Sequence, residues 1–128
     1  MTRKFTLGKD ERLKSRKLID ELFDKGQKFS TGFFRVHFLF NESAESKLQF
    51  GAGVSNKNFK KAVDRNRIKR LTKEAWRLQK NELNEKLLLS GKMMNVFLIY
   101  TGKTIPEYSG VFETITKIIN KLTKTIPG

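Results

Sequence analysis

The stretch Met93 to Thr101 constrains the fold more than any other part of the chain. It is apolar nearly throughout, the pattern of a central strand buried on both faces. Two upstream segments supply further strands. Phe33 to Phe40 alternates, with Phe34, Val36, Phe38 and Phe40 pointing one way and Phe33, Arg35, His37 and Leu39 the other. The first set suits a core; the second mixes aromatic, basic and apolar groups, as a half-wet sheet face does. Asn41 to Lys47 reads as a polar turn, and Gln49 to Ser55 as the next strand of a hairpin. Its Gly51 and Gly53 fall on one face. That face is then either open to a close-approaching ligand or crowded by a neighbouring element.

Helical periodicity fills the rest. A short helix is expected over roughly Lys14 to Lys25, where Leu18 and Leu22, and Ile19 and Phe23, recur at four-residue spacing. Gly26 follows as a helix-ending glycine. A long helix is expected from about Lys61 to Leu88, with Asn81 to Asn84 the place where it would break, and Ser90-Gly91-Lys92 ends it. After Pro106 comes a final helix, about Tyr108 to Thr123, with Val111, Ile115, Ile118 and Leu122 as its stripe and Phe112 and Ile119 beside it. The order of elements predicts one α+β domain over residues 1–128, with residues 1–12 polar and mobile.

Composition narrows the function. Against 13 acids the 128 residues carry 27 Lys and Arg, a net charge of +14. Self-repulsion of that size costs stability unless a polyanion neutralises it. Apolar residues make up 38%, eleven Phe among them, which argues against a disordered basic tail. A folded basic domain of this kind meets nucleic acid first and an anionic membrane second. There is no Cys, which excludes thiolate metal sites, and His37 is the only His, which argues against a multi-histidine metal site or a His-based triad. No apolar run approaches the roughly 18 residues of a membrane helix. The opening residues lack a signal-peptide stretch, so a cytoplasmic location without membrane contact is expected.

The long helix carries the functional signal. On a wheel of about 100° per residue starting at Arg65, Ile68, Leu71, Ala75 and Leu78 cluster near ~260° as the buried stripe. Arg65, Lys69, Arg70, Lys73, Arg77 and Lys80 spread between about 0° and ~140°, with Asn66 among them and Arg67 at the margin of the stripe. Glu74 falls outside this arc, near ~180°. Lys69–Lys73 and Lys73–Arg77 are like-charge pairs at four-residue spacing, which cost a few tenths of a kcal/mol each. Phosphates on this face explain that cost; a solvated basic face with no partner is the alternative. Trp76 lies at the edge of the arc, where packing against a neighbour is favoured over stacking on a base.

The run Val63-Asp64-Arg65-Asn66-Arg67-Ile68-Lys69-Arg70-Leu71, followed by Lys73, Glu74 and Ala75, closely resembles the arginine-rich signature of the bacterial ribonuclease P protein subunit. The approach to it, Gly51-Ala52-Gly53-Val54-Ser55 with Lys57 and then Ala62-Val63, is similar too, as are Leu13-Lys14 and Phe23 with Lys25-Gly26 upstream. The resemblance implies an α–β sandwich of a four-stranded sheet and three helices, with a left-handed βαβ crossover. It implies a protein that binds a catalytic RNA and assists removal of the 5′ leader of precursor tRNA. The chemistry would belong to the RNA and its Mg²⁺, with no cofactor bound by the protein and no protein partner required. Lys57, Lys60, Lys61, Arg65, Asn66, Arg67, Lys69, Arg70, Lys73 and Arg77 would contact RNA. Ile19, Phe23, Phe33, Arg35 and His37 would line a cleft for the single-stranded leader. Lys73 stands where the family often has Arg, Ile19 where another aromatic is common, and His37 where a Tyr is found. Phe59-Lys60-Lys61 departs from a Gly-Asn that the family often has before Ala-Val.

Two other classes share part of this profile. A ribosomal-type structural RNA-binding protein has the same charge and build, and only the signature separates it. A self-sufficient metal-dependent nuclease would need a site such as Asp20, Glu21 and Asp24 on the first helix, where oxygen ligands suit Mg²⁺. Acids on the polar side of a short helix are nevertheless commonplace. Ser55 and His37 lack a third catalytic member.

Overall fold

The structure is a computed structural model, and it describes residues 12–42 and 48–126. Of the segment expected to be mobile, residues 1–11 lie outside that description. Arg12 forms a parallel bridge with Phe50, and Leu13, buried, donates its N–H to the Phe50 carbonyl at 2.9 Å.

The chain runs α1 (Arg16–Lys25), β1 (Gln27–Thr31), β2 (Phe34–Glu42), β3 (Leu48–Val54), α2 (Ala62–Gln79), α3 (Asn81–Ser90), β4 (Lys92–Tyr100) and α4 (Tyr108–Thr125). Ser15 caps α1 by accepting the N–H of Leu18, and Gly26 ends the helix with its N–H on the Leu22 carbonyl. One four-stranded sheet has the order β1-β2-β4-β3. The apolar Met93–Tyr100 run sits second from one edge, and Met94, Val96 and Leu98 have no solvent exposure. Its two neighbours run opposite ways: β2 is antiparallel and β3 parallel to it.

This corrects the expected hairpin between the second and third strands. β3 pairs with β4, not with β2, because α2 and α3 return the chain parallel to β3 and insert β4 between them. The hairpin lies one element earlier. β1 pairs with β2 through a two-residue turn in which Gly32 takes φ +58°, a conformation that glycine tolerates. Phe33 therefore belongs to the turn and not to the strand. Of the expected polar turn, residues 43–47 lie outside the described residues, and β2 continues to Glu42.

Four helices replace the expected three, since the long helix breaks at Lys80. That residue has φ −70° and ψ −17°, nearer a tight turn than an α-helix, and Asn81 opens α3. Gly91 ends α3 in the left-handed region, at φ +71°. The even-numbered side chains of β2 and β4 face α2 and α4 across one core. There Trp76 stacks on Phe50 with centroids 4.3 Å apart and planes 14° from parallel. The other sheet face carries α1, through Leu22, which is fully buried. The result is an α–β sandwich with α1 on one side and three helices on the other.

Candidate nucleic-acid interface

The packing of α2 decides which cations reach solvent. Its buried residues are Ile68, Thr72, Ala75 and Trp76. The inward face thus centres near ~320° on the wheel begun at Arg65, about 60° from the expected stripe. Aliphatic residues alone had set that stripe; Trp76 and Thr72 rotate it. Thr72 goes inside at little cost because its hydroxyl donates to the Ile68 carbonyl at 2.9 Å. Leu78, expected in the core, is 39% exposed.

The outward face consequently consists of Asn66, Arg67, Arg70 and Lys73, with Arg77 half-exposed beside them. Arg67 moves from the margin to the open side. Lys69 becomes a half-buried flank, and Lys80, placed on the basic arc from sequence, is buried. Arg77 is engaged: Nε donates to one oxygen of Glu74 at 3.1 Å and Nη2 to the other at 2.5 Å. The hydrogen bonds from Arg77 hold the Glu74 carboxyl below its ordinary range, and Glu74 in turn raises Arg77. Glu74 therefore does reach the arc, contrary to the expectation that it falls outside.

Arg65 does something the sequence did not suggest. Its Nη1 donates to the carbonyls of Phe59 and Lys60, both at 2.8 Å. The guanidinium ties down the loop before α2. Phe59 is buried against Tyr100, and the Asn58 side-chain amide donates to the Thr101 and Gly102 carbonyls at 3.2 Å each. The departure Phe59-Lys60-Lys61 thus has a simple construction: Phe59 anchors inward, while Lys57, Lys60 and Lys61 stay exposed.

A second region lies on the α1 side of the sheet. Phe23, 42% exposed, meets His37 edge-on at 4.6 Å between centroids and Phe97 at 5.4 Å. Ile19 is half-buried on the same helix. Burial, then the charges of Arg35 and Lys28, push the His37 pKa below 6.5, so the imidazole, itself buried, packs against Phe23 in its neutral form. Next to these aromatics is a hollow of about 550 Å³ whose lining includes Arg35, Gly53, Ser55, Lys57, Asn58 and Phe97. It combines cations and hydrogen-bonding groups over an aromatic floor.

Phe97 answers the question posed by the glycine pair. A Cβ on Gly51 would lie 2.6 Å from the Phe97 ring, and one on Gly53 would lie 2.9 Å from it. The glycines make room for a neighbouring ring, so the crowded reading of that face holds. Phe97, Lys28 and Asn58 were not singled out from sequence. The glycine pair was the only signal for Phe97; a strand buried on both faces gave no reason to choose among its side chains.

Phe33 is the one cleft candidate that the structure sends elsewhere. Its ring lies 6.5 Å from that of Tyr100, whose side chain faces α4, so it sits across the sheet from Phe23. Asp20 forms an ion pair with Arg16 at 3.7 Å, both exposed, and among the described residues no three His, Cys, Asp or Glu side chains cluster as metal ligands would. Among the described residues no helix is long and apolar enough to cross a membrane.

Comparison with known proteins agrees with this layout. The family model of ribonuclease P matches residues 7–123. The ribonuclease P protein component of Porphyromonas gingivalis is 31% identical over 125 residues, covering 97% of this chain and 91% of that protein. The corresponding protein of Desulfovibrio desulfuricans is 26% identical over 98% of this chain and 93% of its own length. Two solved structures share the fold. The RNase P protein of Staphylococcus aureus superposes with a TM-score of 0.66 at 21% identity, covering 93% of this chain and all of that one. That of Thermotoga maritima gives 0.66 at 24%, over 87% and 96%. The chain belongs to the ribonuclease P protein family, the RNA-binding protein components of the ribonucleoprotein endoribonuclease that processes tRNA.

Proposed function

We propose that the two regions divide the work of a ribonuclease P protein between catalytic RNA and precursor tRNA. The outward face of α2, with Asn66, Arg67, Arg70 and Lys73, and the lysines of the preceding loop contact the catalytic RNA. Arg grips phosphate oxygens in pairs, while Lys supplies a point charge. The hollow beside α1 takes the single-stranded 5′ leader of precursor tRNA. Phe23 offers its ring to the bases, backed by the buried His37, and Arg35, Lys28 and Lys57 offer charge to the phosphates.

The observation that carries this reading is Phe23 itself. It is an exposed ring on one sheet face, held by His37 and Phe97, beside a hollow rimmed with cations. Stacking plus electrostatics holds single strands of many sequences. That tolerance suits leaders, whose sequences vary. Mg²⁺ serves the RNA-catalysed reaction, and the site of action is the cytoplasm, where precursor tRNA is made.

Reconstitution with the catalytic RNA at low Mg²⁺ tests the proposal. The protein stimulates cleavage of precursor tRNA, and Phe23→Ala weakens precursor tRNA binding while leaving mature tRNA untouched. Equal loss for both substrates would reassign Phe23 to the core. Cleavage by the protein without RNA would point to a self-sufficient nuclease.

A further inference from the structure

Phe33 was left without a role when the structure placed it across the sheet from the leader hollow. It is 67% exposed and lines an apolar hollow, so its ring is accessible as part of a patch and not as an isolated surface residue. Its support is rigid. The Thr101 N–H and hydroxyl both donate to the Phe33 carbonyl, at 2.7 and 3.0 Å, and Gly32 fixes the turn.

The ring overhangs a hollow of about 270 Å³ on the α4 side of the sheet. Phe34, Tyr100, Pro106 and Val111 form its walls, and Thr104 belongs to its lining. Tyr100 is locked by donating its hydroxyl to the Thr104 carbonyl at 2.7 Å. Glu107 and Gly110 stand at the mouth, both exposed, and a Cβ on Gly110 would meet nothing within 4 Å. The space is small for an elongated ligand and of a size for a single planar ring.

Charge indicates which ring. Thr114, in the lining, continues along the same flank of α4 to Lys117, Lys121 and Lys124, all three exposed. Lys121 is oriented by the Thr31 hydroxyl at 3.3 Å and the Phe29 ring at 5.2 Å. From Thr114 to Lys121 the helix rises about 10 Å, a step of one to two nucleotides. At the mouth itself the nearest charge is Glu107, which repels phosphate and accepts a hydrogen bond from an exocyclic amine. A base therefore enters and its backbone stays with the lysines. A second copy of the chain, at +14, would be repelled.

We propose that Phe33 and the hollow beneath it hold one unpaired base of an RNA strand, whose backbone then follows the Lys117–Lys121 flank of α4. This is a second RNA contact, on the opposite sheet face from the leader hollow. It rests on RNA being the partner of this family and not on the assignment of the leader.

The test uses the full chain, isotope-labelled for NMR, titrated with a short single-stranded oligoadenylate. Resonances of Gly110, Thr114 and the Phe33 ring shift on addition. Phe33→Ala weakens binding about 5- to 150-fold, the range for one stacked base, and Phe33→Tyr restores it. Because Phe33 is exposed, the thermal midpoint of Phe33→Ala stays close to that of the parent, which separates lost stacking from lost folding. Shifts confined to Phe23, His37 and their neighbours, with Phe33→Ala binding normally, would overturn this inference and leave the leader reading intact. Loss with Phe33→Ala but none with Phe23→Ala would do the reverse. Concentration-dependent dimerisation abolished by Phe33→Ala would assign the hollow to a second copy and also overturn it, as would capture of an uncharged peptide in preference to the oligonucleotide.

Discussion

Arginines of one signature do different jobs. Arg70 faces solvent from the middle of α2, whereas Arg65 spends one guanidinium nitrogen on two loop carbonyls. Arg70→Ala should change stability by no more than about 0.5 kcal/mol and lower the salt slope of RNA binding by about one. Arg65→Ala should instead cost about 1–3 kcal/mol of stability, because two carbonyls of the loop lose a charged donor. Urea unfolding and binding at several salt concentrations separate the two variants; equal stability loss would mean that the Arg65 bonds are idle. His37 gives a residue-scale prediction with a sign. Its folded pKa lies below 6.5, so below about that pH the unfolded chain binds more protons than the folded one. Stability attributable to His37 is thus complete above pH 6.5 and is lost as pH falls through and below it. His37→Phe should flatten the urea midpoint in that window, while the loss due to Glu74, also depressed, begins only below about pH 4.5 and persists in the variant. A midpoint that falls equally in both proteins would clear His37 of the effect.

Elements fit together through a few side chains that sequence patterns treat as ordinary. Gly51 and Gly53 accommodate the Phe97 ring, and that ring supports Phe23. Gly51→Ala should cost about 1–3 kcal/mol by overpacking. In a Phe97→Ala background the same change should be nearly neutral, a coupling of up to about 3 kcal/mol in a double-mutant cycle. Additive losses would show that the glycine serves backbone freedom instead. The legibility of the elements follows the same logic. The helices and the central strand were readable because their apolar residues recur with one period over many positions. Pairing was not: nothing in Gln49 to Ser55 distinguishes an antiparallel neighbour of β2 from a parallel neighbour of β4, since that choice rests on where a distant segment inserts. The rotation of α2 escaped for another reason. Thr72 counts as polar until its hydroxyl is seen bonded within the helix, and Trp76 was counted as an edge residue. Arg35 and His37 were legible as one face of an alternating strand, and Ile19 and Phe23 as leader contacts only by resemblance; Phe33 failed because it lies in the two-residue turn before the strand, where alternation does not set its side.

For the whole molecule, charge acts in two opposite directions, and one experiment reads both. A net +14 on 128 residues works against the folded state through self-repulsion, while it attracts a polyanion. Added salt screens both effects, since the Debye length shrinks from about 10 Å at 0.1 M to about 3 Å at 1 M. The free protein should therefore gain stability between about 0.05 and 0.5 M salt, with a thermal midpoint that rises by a few degrees. Over the same range its affinity for catalytic RNA should collapse. Lys57, Lys60, Lys61, Arg67, Arg70 and Lys73 are exposed on α2 and its preceding loop, outside the Arg77–Glu74 pair and the Arg65 tie. If each meets one phosphate, the slope of log K against log salt lies near about −4 to −5, a loss of roughly four to five decades per tenfold rise in salt. A measured slope shallower than about −2 would mean that most of this face never touches RNA, whatever the family resemblance. A thermal midpoint that fell with salt would mean that the cations are held by carboxylates within the molecule, so that screening weakens the fold instead of relieving it.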